Sequence, residues 1–399
     1  MIDAKRREKI LSRGRPSVVW KGEPGLGAWY TEQEIKAAEK AIRKSMDWNV
    51  GFGFNVEEIV KFEEEFARYA GTQFAVSCVT ASVGLDMAMM CLDLKRGDEV
   101  IVPACNFPAA SLATIGQGGK VVFCEIDPRT FNADPADVER RITPRTRAIC
   151  PVHMNGMSAD MDALLDVAER NPHPKHGPLK VIGDAARACG GGYKGTKIGK
   201  KGWMTVFSFH TMKLMTTLGE GGMVTTDDPD VAERLRNIRQ WGGGKEWGTS
   251  YKLTMVQAAV GSVQLRRLDK MLAKRAERAR QRTELLEGVP ELILPYVPPG
   301  YDHTFYLYTI LVPPEWAGEK RDRLIKMMND DYHVACSVAN PPVYYRGFIG
   351  RKTRGQKLPL SEELGRRLFC PSLHPLMTKA QNEYVAAALI ESVERVKKD

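Results

Sequence analysis

Residues 206–222 read VFSFHTMKLMTTLGEGG. An apolar strand pattern ends near Ser208, Lys213 follows five residues later, and a glycine-rich loop closes the stretch. A lysine so placed can hold an aldehyde as an imine. Upstream, the strand pattern Lys180-Val181-Ile182-Gly183 ends on Asp184, a carboxylate at the edge of an apolar segment rather than inside a solvated charge run. Taken singly, Lys213 reads as a surface lysine after a strand and Asp184 as a helix N-cap. Together they form the pair that pyridoxal phosphate chemistry needs. The lysine carries the aldehyde, and the carboxylate keeps the pyridine nitrogen protonated so that the ring accepts electrons.

Outward from this pair the chain alternates short β-rich runs with helical patterns. From residue 74 come FAVSC then TASVGLDMAMMCLDL, DEVIVPA then PAASLATIGQ, and KVVFCEI then PADVERRI. RAICPVHM, DMDALLDVAER, LKVIGDA, WMTVFSFH and GGMVTTD continue the series, which closes on the helix pattern PDVAERLRNIRQW. Such alternation specifies an α/β fold with a parallel sheet. Asp184 and Lys213 both follow carboxyl ends of strands, where open α/β sheets place their ligands. Gly242-Gly243-Gly244 breaks the pattern, and Thr254 to about Leu286 reads as one long helix bridging to a smaller C-terminal α+β domain. The expected division is an N-terminal arm (1–30), a large cofactor-binding domain (31–270) and a small domain (271–399).

Composition bounds the function. With 399 residues and 43% apolar content the chain buries a large core. The start, MIDAKRREKILSRGRPS, is basic but lacks an apolar core of signal-peptide length, and no apolar run reaches membrane-spanning length, so a cytoplasmic, membrane-free protein is expected. The eight cysteines are scattered without a CxxC pair, which predicts reduced thiols and no metal site. A net charge of +9 is dispersed, with clusters at Lys5 to Arg7, Lys274 to Arg282 and Arg346 to Lys357. These read as solvated faces without the aromatic interleaving that nucleic-acid stacking needs, so no nucleic-acid partner is expected. The Arg346, Arg351, Lys352, Arg354 segment is the exception: near a site, it favours a phosphorylated or nucleotide-linked substrate.

A bound phosphate needs several N–H donors, which a helix start supplies, and Thr80-Ala81-Ser82 opens the helix pattern after the first strand. The same residues also suit ordinary capping. Phe107, beyond the strand DEVIVPA, either stacks on a cofactor ring or fills the core. Ser208 is either a further phosphate donor or a strand-edge hydroxyl.

Seven segments, taken in order, resemble the keto-sugar (DegT/DnrJ/StrS-type) aminotransferase family of fold-type I pyridoxal phosphate enzymes. EEIVKFEEEFARYAG resembles the helix before the first strand, GDEVIVPACNFPAASLA the ring-stacking segment, and CEIDPRTFNADPADVERRITPRTRAICPVHMNGMSADMDAL the long central signature. GDAARACGGGYKG is similar to the segment that holds the pyridine nitrogen, and FSFHTMKLMTTLGEGGMV to the Schiff-base segment. LTMVQAAVGSVQLRRLD and CPSLHPLMT complete the series. The resemblance implies an aspartate aminotransferase-like fold, with a mostly parallel seven-stranded sheet between helices. It further implies pyridoxal 5'-phosphate as cofactor and transfer of an amino group from L-glutamate or L-glutamine to a keto-sugar or keto-cyclitol. Family members are homodimers with shared active sites. Carried over residue by residue, Asp184 pairs with the pyridine nitrogen, Phe107 stacks on the ring, Ala81, Ser82 and Ser208 bind phosphate, and Lys213 is the catalytic base.

Three departures stand out. Arg187 occupies the place of glutamine or histidine beside the cofactor's ring hydroxyl, where it either stabilises the phenolate or reaches for a substrate anion. Ser250-Tyr251-Lys252 replaces Asn-Tyr-Arg, whose asparagine reaches the neighbouring subunit's phosphate, and Ala81-Ser82 replaces Gly-Thr. The loop Val338 to Arg346, with Tyr344 and Arg346, is a candidate substrate lid or a surface loop of no special role. Sugar dehydrases of the family carry histidine in place of the lysine, and Lys213 argues against that version. A dehydratase of the amino-hydroxybenzoate synthase type keeps a similar KLMT-GEGG run and stays open. So does a non-catalytic, cofactor-binding paralogue.

Overall fold

The computed structural model describes residues 2–14, 27–50 and 56–398; residues 15–26 of the expected N-terminal arm and 51–55 of the expected large domain lie outside it, as do both terminal residues. Seven strands form the central sheet in the spatial order Phe74–Cys78, Gly222–Thr226, Met204–Ser208, Lys180–Asp184, Thr146–Ile149, Glu99–Pro103 and Lys120–Cys124. All neighbours from Met204–Ser208 onward are parallel, and Gly222–Thr226 runs antiparallel to both of its partners. The apolar runs of Glu99–Pro103, Met204–Ser208 and Gly222–Thr226 are buried along their whole length, because helices cover both faces of the sheet.

On one face, Leu85, Ala88, Ala113 and Leu235, from the helices Ala81–Met90, Ala109–Gly116 and Pro229–Ile238, pack against Val102, Ile182, Val206 and Val224 of the sheet. On the other, Glu57–Ala70 and Met161–Arg170 close the core through Phe62, Phe66 and Leu164. A buried ion pair between Arg239 and Glu63 ties the first of these helices to the sheet, with Glu63 also accepting from the N–H and hydroxyl of Ser77 at 2.9 and 2.7 Å. The architecture is α/β, with a mostly parallel seven-stranded sheet between helices.

Thr254 opens a 32-residue helix, Met255–Leu286, through a capping box with Gln257. Its first half, through Ala258, Leu265, Leu268 and Met271, belongs to the core against the sheet. Its second half, through Ala279 and Leu286, belongs to a separate core built from residues 289–396 and joined by Ile2. That second core holds the antiparallel three-stranded sheet of Ile310–Leu311, Leu368–Pro371 and Cys336–Ser337, and the helices Glu319–Asp330 and Lys379–Lys398. Arg275 and Arg282 of the long helix are buried and donate to main-chain carbonyls there, Leu373 at 3.1 Å and Ser372 at 2.6 Å. No described helix is long and apolar enough to cross a membrane, and no described group of His, Cys, Asp and Glu is arranged to hold a metal ion.

Candidate active site

Asp184 and Ser208 end neighbouring parallel strands, and register places Asp184 opposite Val206. Asp184 is 3% exposed. Its main-chain N–H donates to Pro151 O at 2.8 Å and its carbonyl accepts from His153 N–H at 2.9 Å, so the backbone beneath the carboxyl is fixed on both sides. One carboxyl oxygen accepts from Ala186 N–H at 3.0 Å. Burial pushes its pKa above the ordinary carboxylate value, while the Ala186 N–H and the positive charges of Lys213 and Arg187 pull it back. Such a carboxyl ionises readily only when a cation is brought against it.

The Lys213 main chain is held from below. Its N–H donates to His210 O at 2.9 Å, and Gly27 N–H donates to Thr211 O at 3.1 Å. A Cβ on Gly27 would run into the carbonyl oxygens of Met212 and Lys213, so this approach requires glycine. The Lys213 side chain lies over Tyr306, its Nζ 4.8 Å from the ring centroid and 3.4 Å from the phenol oxygen. The Arg187 guanidinium faces the same ring at 5.7 Å and donates to Asn340 Oδ1 at 2.8 Å and, more distantly, to Asn155 Oδ1 at 3.5 Å. Sequence reasoning did not single out Tyr306 or Asn155. HTFYLY reads as an ordinary apolar run, and the left-handed backbone of Asn155 (φ 54°) leaves no trace in sequence pattern.

The phosphate-binding residues proposed from sequence converge on one corner. Ser208 is paired with Gly222, and a Cβ on Gly222 would stand 2.6 Å from the Thr80 carbonyl carbon and 2.8 Å from Ala81 N. The missing side chain therefore lets the start of the helix Ala81–Met90 close onto the strand that carries Ser208. Thr80 is the cap, its hydroxyl accepting from Val83 N–H at 3.1 Å, and Gly84 N–H makes the first intrahelical bond to Thr80 O. The Ala81 and Ser82 N–H groups precede that bond and point out of the helix start, as an anion site requires. The glycine cradle, the helix start and the buried Asp184 fit the phosphate and ring nitrogen of pyridoxal phosphate.

Phe107 is 53% exposed, which removes the core reading of this ring. Ser250 is exposed and accepts from Lys252 Nζ at 3.0 Å, while the neighbouring Tyr251 carbonyl accepts from Val79 N–H at 2.8 Å beside the helix start. The 338–346 loop is docked on the site side: Val343 N–H donates to Ala104 O at 2.8 Å, and Asn340 takes the Arg187 bond. Tyr344 turns its phenol away to Glu362 at 2.7 Å and its ring onto Phe123. Arg346 is exposed. The reading that this basic segment lacks interleaved aromatics is corrected: Tyr345 and Phe348 are exposed among Arg346, Arg351 and Lys352.

Residues 31–390 match the model of the DegT/DnrJ/EryC1/StrS aminotransferase family. The GDP-perosamine synthase of Caulobacter vibrioides is 38% identical over 295 residues, 72% of this chain and 76% of that protein. The dTDP-3-amino-3,4,6-trideoxy-alpha-D-glucose transaminase of Streptomyces venezuelae is 35% identical over 379 residues, 91% and 96% of the two chains. The crystal structure of S. venezuelae DesV in complex with a ketimine intermediate superposes with a TM-score of 0.81 at 33% identity, covering 91% of this chain and 95% of that one. With the lysine, the buried aspartate and the helix-start corner in place on this fold, the chain belongs to the DegT/DnrJ/EryC1/StrS aminotransferase family.

Proposed function

We propose that this aminotransferase uses pyridoxal 5'-phosphate to move an amino group from L-glutamate or L-glutamine to the keto group of a sugar, nucleotide-linked or phosphorylated, or of a cyclitol. The observation that carries this reading is the meeting of Lys213, Asp184 and the Ser208–Gly222–Ala81 corner on adjoining strand ends. When bound, the cofactor supplies an aldehyde that condenses with amines and a ring that withdraws electrons.

The residues divide the work. Lys213 Nζ would hold the cofactor through its aldehyde carbon, and as a free amine it would take the proton from the donor Cα. Asp184 holds a proton at the ring nitrogen, and that positive charge is the partner its buried carboxyl calls for. Ala81 and Ser82 N–H groups and the Ser208 hydroxyl hold the phosphate, and the exposed Phe107 ring covers one face of the cofactor. Arg346, Arg351, Lys352 and Arg354 make no ion pair among the described residues, and with Tyr345 and Phe348 beside them they suit a base and a phosphate group on the acceptor. GDP- and dTDP-linked sugars in the relatives' names agree with this.

The protein is proposed to act as a homodimer. Ile35, Ala38 and Ile42 of the helix Glu32–Ser45 and Met46, which caps it, line an apolar groove with Leu218, which lies on the loop after Lys213. A second copy covering that groove would lie against the loop that follows Lys213, as shared active sites and a role for Ser250 across the interface require.

The test is the visible absorbance of the purified, cofactor-loaded protein, wild type and Lys213→Ala, before and after L-glutamate and then L-glutamine. A band that depends on Lys213 and is discharged by one donor is expected, with turnover at least ~1,000-fold lower in the variant. Failure of both donors to discharge it would exclude amino transfer from either.

A further inference from the structure

Arg187 is the charged group that this mechanism leaves without a task. It is half-buried, three residues after Asp184, and shares the Tyr306 ring with Lys213. Other buried arginines of this chain each reach a carboxylate, a main-chain carbonyl or both. Arg239, Arg267 and Arg147 face carboxylates, those of Glu63, Glu34 and Asp98. Arg275 and Arg282 reach main-chain carbonyls, those of Gly27 and Leu373 for the first and Ser372 for the second, with Asn382 Oδ1 also accepting from Arg282 at 2.9 Å. Arg187 has neither: its acceptors among the described residues are two side-chain amides, one of them at 3.5 Å. A guanidinium carries five N–H donors in a rigid fork, so most of its capacity is uncommitted among the described residues.

We propose, building on the aminotransferase reading, that Arg187 is the carboxylate-binding residue of the substrate site. The carboxylate comes either from the amino donor, where it sits on the carbon that bears the amine, or from an acidic sugar acceptor. Both sources present a planar anion that the fork receives through two parallel hydrogen bonds. Asn340 and Asn155 orient the guanidinium by accepting from its two terminal nitrogens, and the Tyr306 face supports it from one side. The two cations on one ring place a bound carboxylate within reach of the amine that does the chemistry. A glutamine at this position is shorter and brings no charge, so it offers no charged fork to a carboxylate.

Calorimetry on the cofactor-loaded protein tests this without turnover. The probes are 2-oxoglutarate, which has no amino group to give, and UDP-glucuronate against UDP-glucose, which differ by the carboxylate alone. Arg187→Gln is expected to weaken 2-oxoglutarate at least tenfold if the donor is the source, or to abolish the preference for UDP-glucuronate if the acceptor is. Arg187→Lys, which keeps the charge without the fork, should fall between, and UDP-glucose binding should not change. If Arg187→Gln binds both carboxylate probes as the wild type does, the proposal fails. It fails equally if the variant's only effect is a displaced pH midpoint of the cofactor's absorbance, which would assign Arg187 to the ring oxygen. Because binding is read directly, absence of amino transfer in the absorbance test counts against the aminotransferase mechanism separately.

Discussion

Replacing Gly222 by alanine should loosen the cofactor as well as the fold. The added Cβ would stand 2.6 Å from the Thr80 carbonyl carbon, 2.7 Å from its oxygen and 2.8 Å from Ala81 N, all backbone atoms that no rotamer change moves away. Ordinary contact begins at 3.4 Å, so the helix start must back off by about 0.8 Å. Overpacking of that size costs about 1–3 kcal/mol of stability. The same retreat stretches an N–H···O bond of about 2.9 Å beyond hydrogen-bonding range. A hydrogen bond to a charged group contributes roughly 1.5–3 kcal/mol, so losing one of the two helix-start donors raises the cofactor dissociation constant about 10- to 100-fold. The assay is titration of pyridoxal phosphate into dialysed protein by absorbance, with a melting curve on each sample. Gly116→Ala is the control: its Cβ meets nothing within 4 Å at the end of the helix Ala109–Gly116. That change should be neutral or stabilising by up to about 1 kcal/mol. If folded Gly222→Ala binds the cofactor within twofold of wild type, the helix start is not the phosphate site.

Two pH-dependent effects follow from buried groups of opposite sense. Burial raises the Asp184 pKa, so in the cofactor-free protein its contribution to stability is complete below the ordinary value of 3.8 and is lost as pH rises through the folded value. Asp184→Asn should therefore melt higher than wild type at neutral pH without cofactor, match it below about pH 3.8, and gain less from added pyridoxal phosphate. An unchanged neutral melting temperature would refute this. His153 is buried, its Nδ1 accepting from Ala159 N–H at 3.1 Å, and burial pushes its pKa down to about 4 from 6.5. It favours the fold above its unfolded value, and that advantage, on the order of 3 kcal/mol at most, disappears as pH falls from 6.5 towards 4. His153→Gln should flatten this acid limb in a series of denaturant titrations, and an unaltered slope would refute it.

The parts of the site legible in the sequence are those that strand ends present. Asp184, Ser208 and Lys213 follow apolar runs whose period and length identify them as buried strands, and a parallel sheet leaves one edge for ligands. The long helix was legible for a related reason: Thr254 and Gln257 form its capping box as the sequence spells it. Tyr306 and Asn155 were not, and Asn340 only as a member of the candidate lid, because their contacts with Lys213 and Arg187 join residues 32 to 153 positions apart. Gly222 was visible only as part of a glycine-rich loop. Its tight approach to Thr80 and Ala81 depends on how a helix packs on a strand, which no local pattern encodes. Tyr344 shows the converse error, since an aromatic in a candidate lid resembles a ligand contact until Glu362 and Phe123 are seen to engage it.

The position of Lys213 is set by parts of the chain that take no part in the chemistry. Arg275 donates to Gly27 O at 2.5 Å and to Leu373 O at 3.1 Å, while Gly27 N–H holds Thr211 O at 3.1 Å. One buried guanidinium thus connects the long helix, the N-terminal segment, the C-terminal core and the turn before the lysine. A proton transfer of the proposed kind tolerates little displacement of the amine, since rates fall steeply once reacting atoms leave near-attack distance. The Cβ absent from Gly27 matters for the same reason, because a side chain there would push directly on the Met212 and Lys213 carbonyls. The second core therefore does more than complete a domain. Through Arg275 it fixes the height of the Lys213 turn above the sheet, and Asp184, anchored in the sheet by Pro151 and His153, supplies the fixed reference against which that height is set.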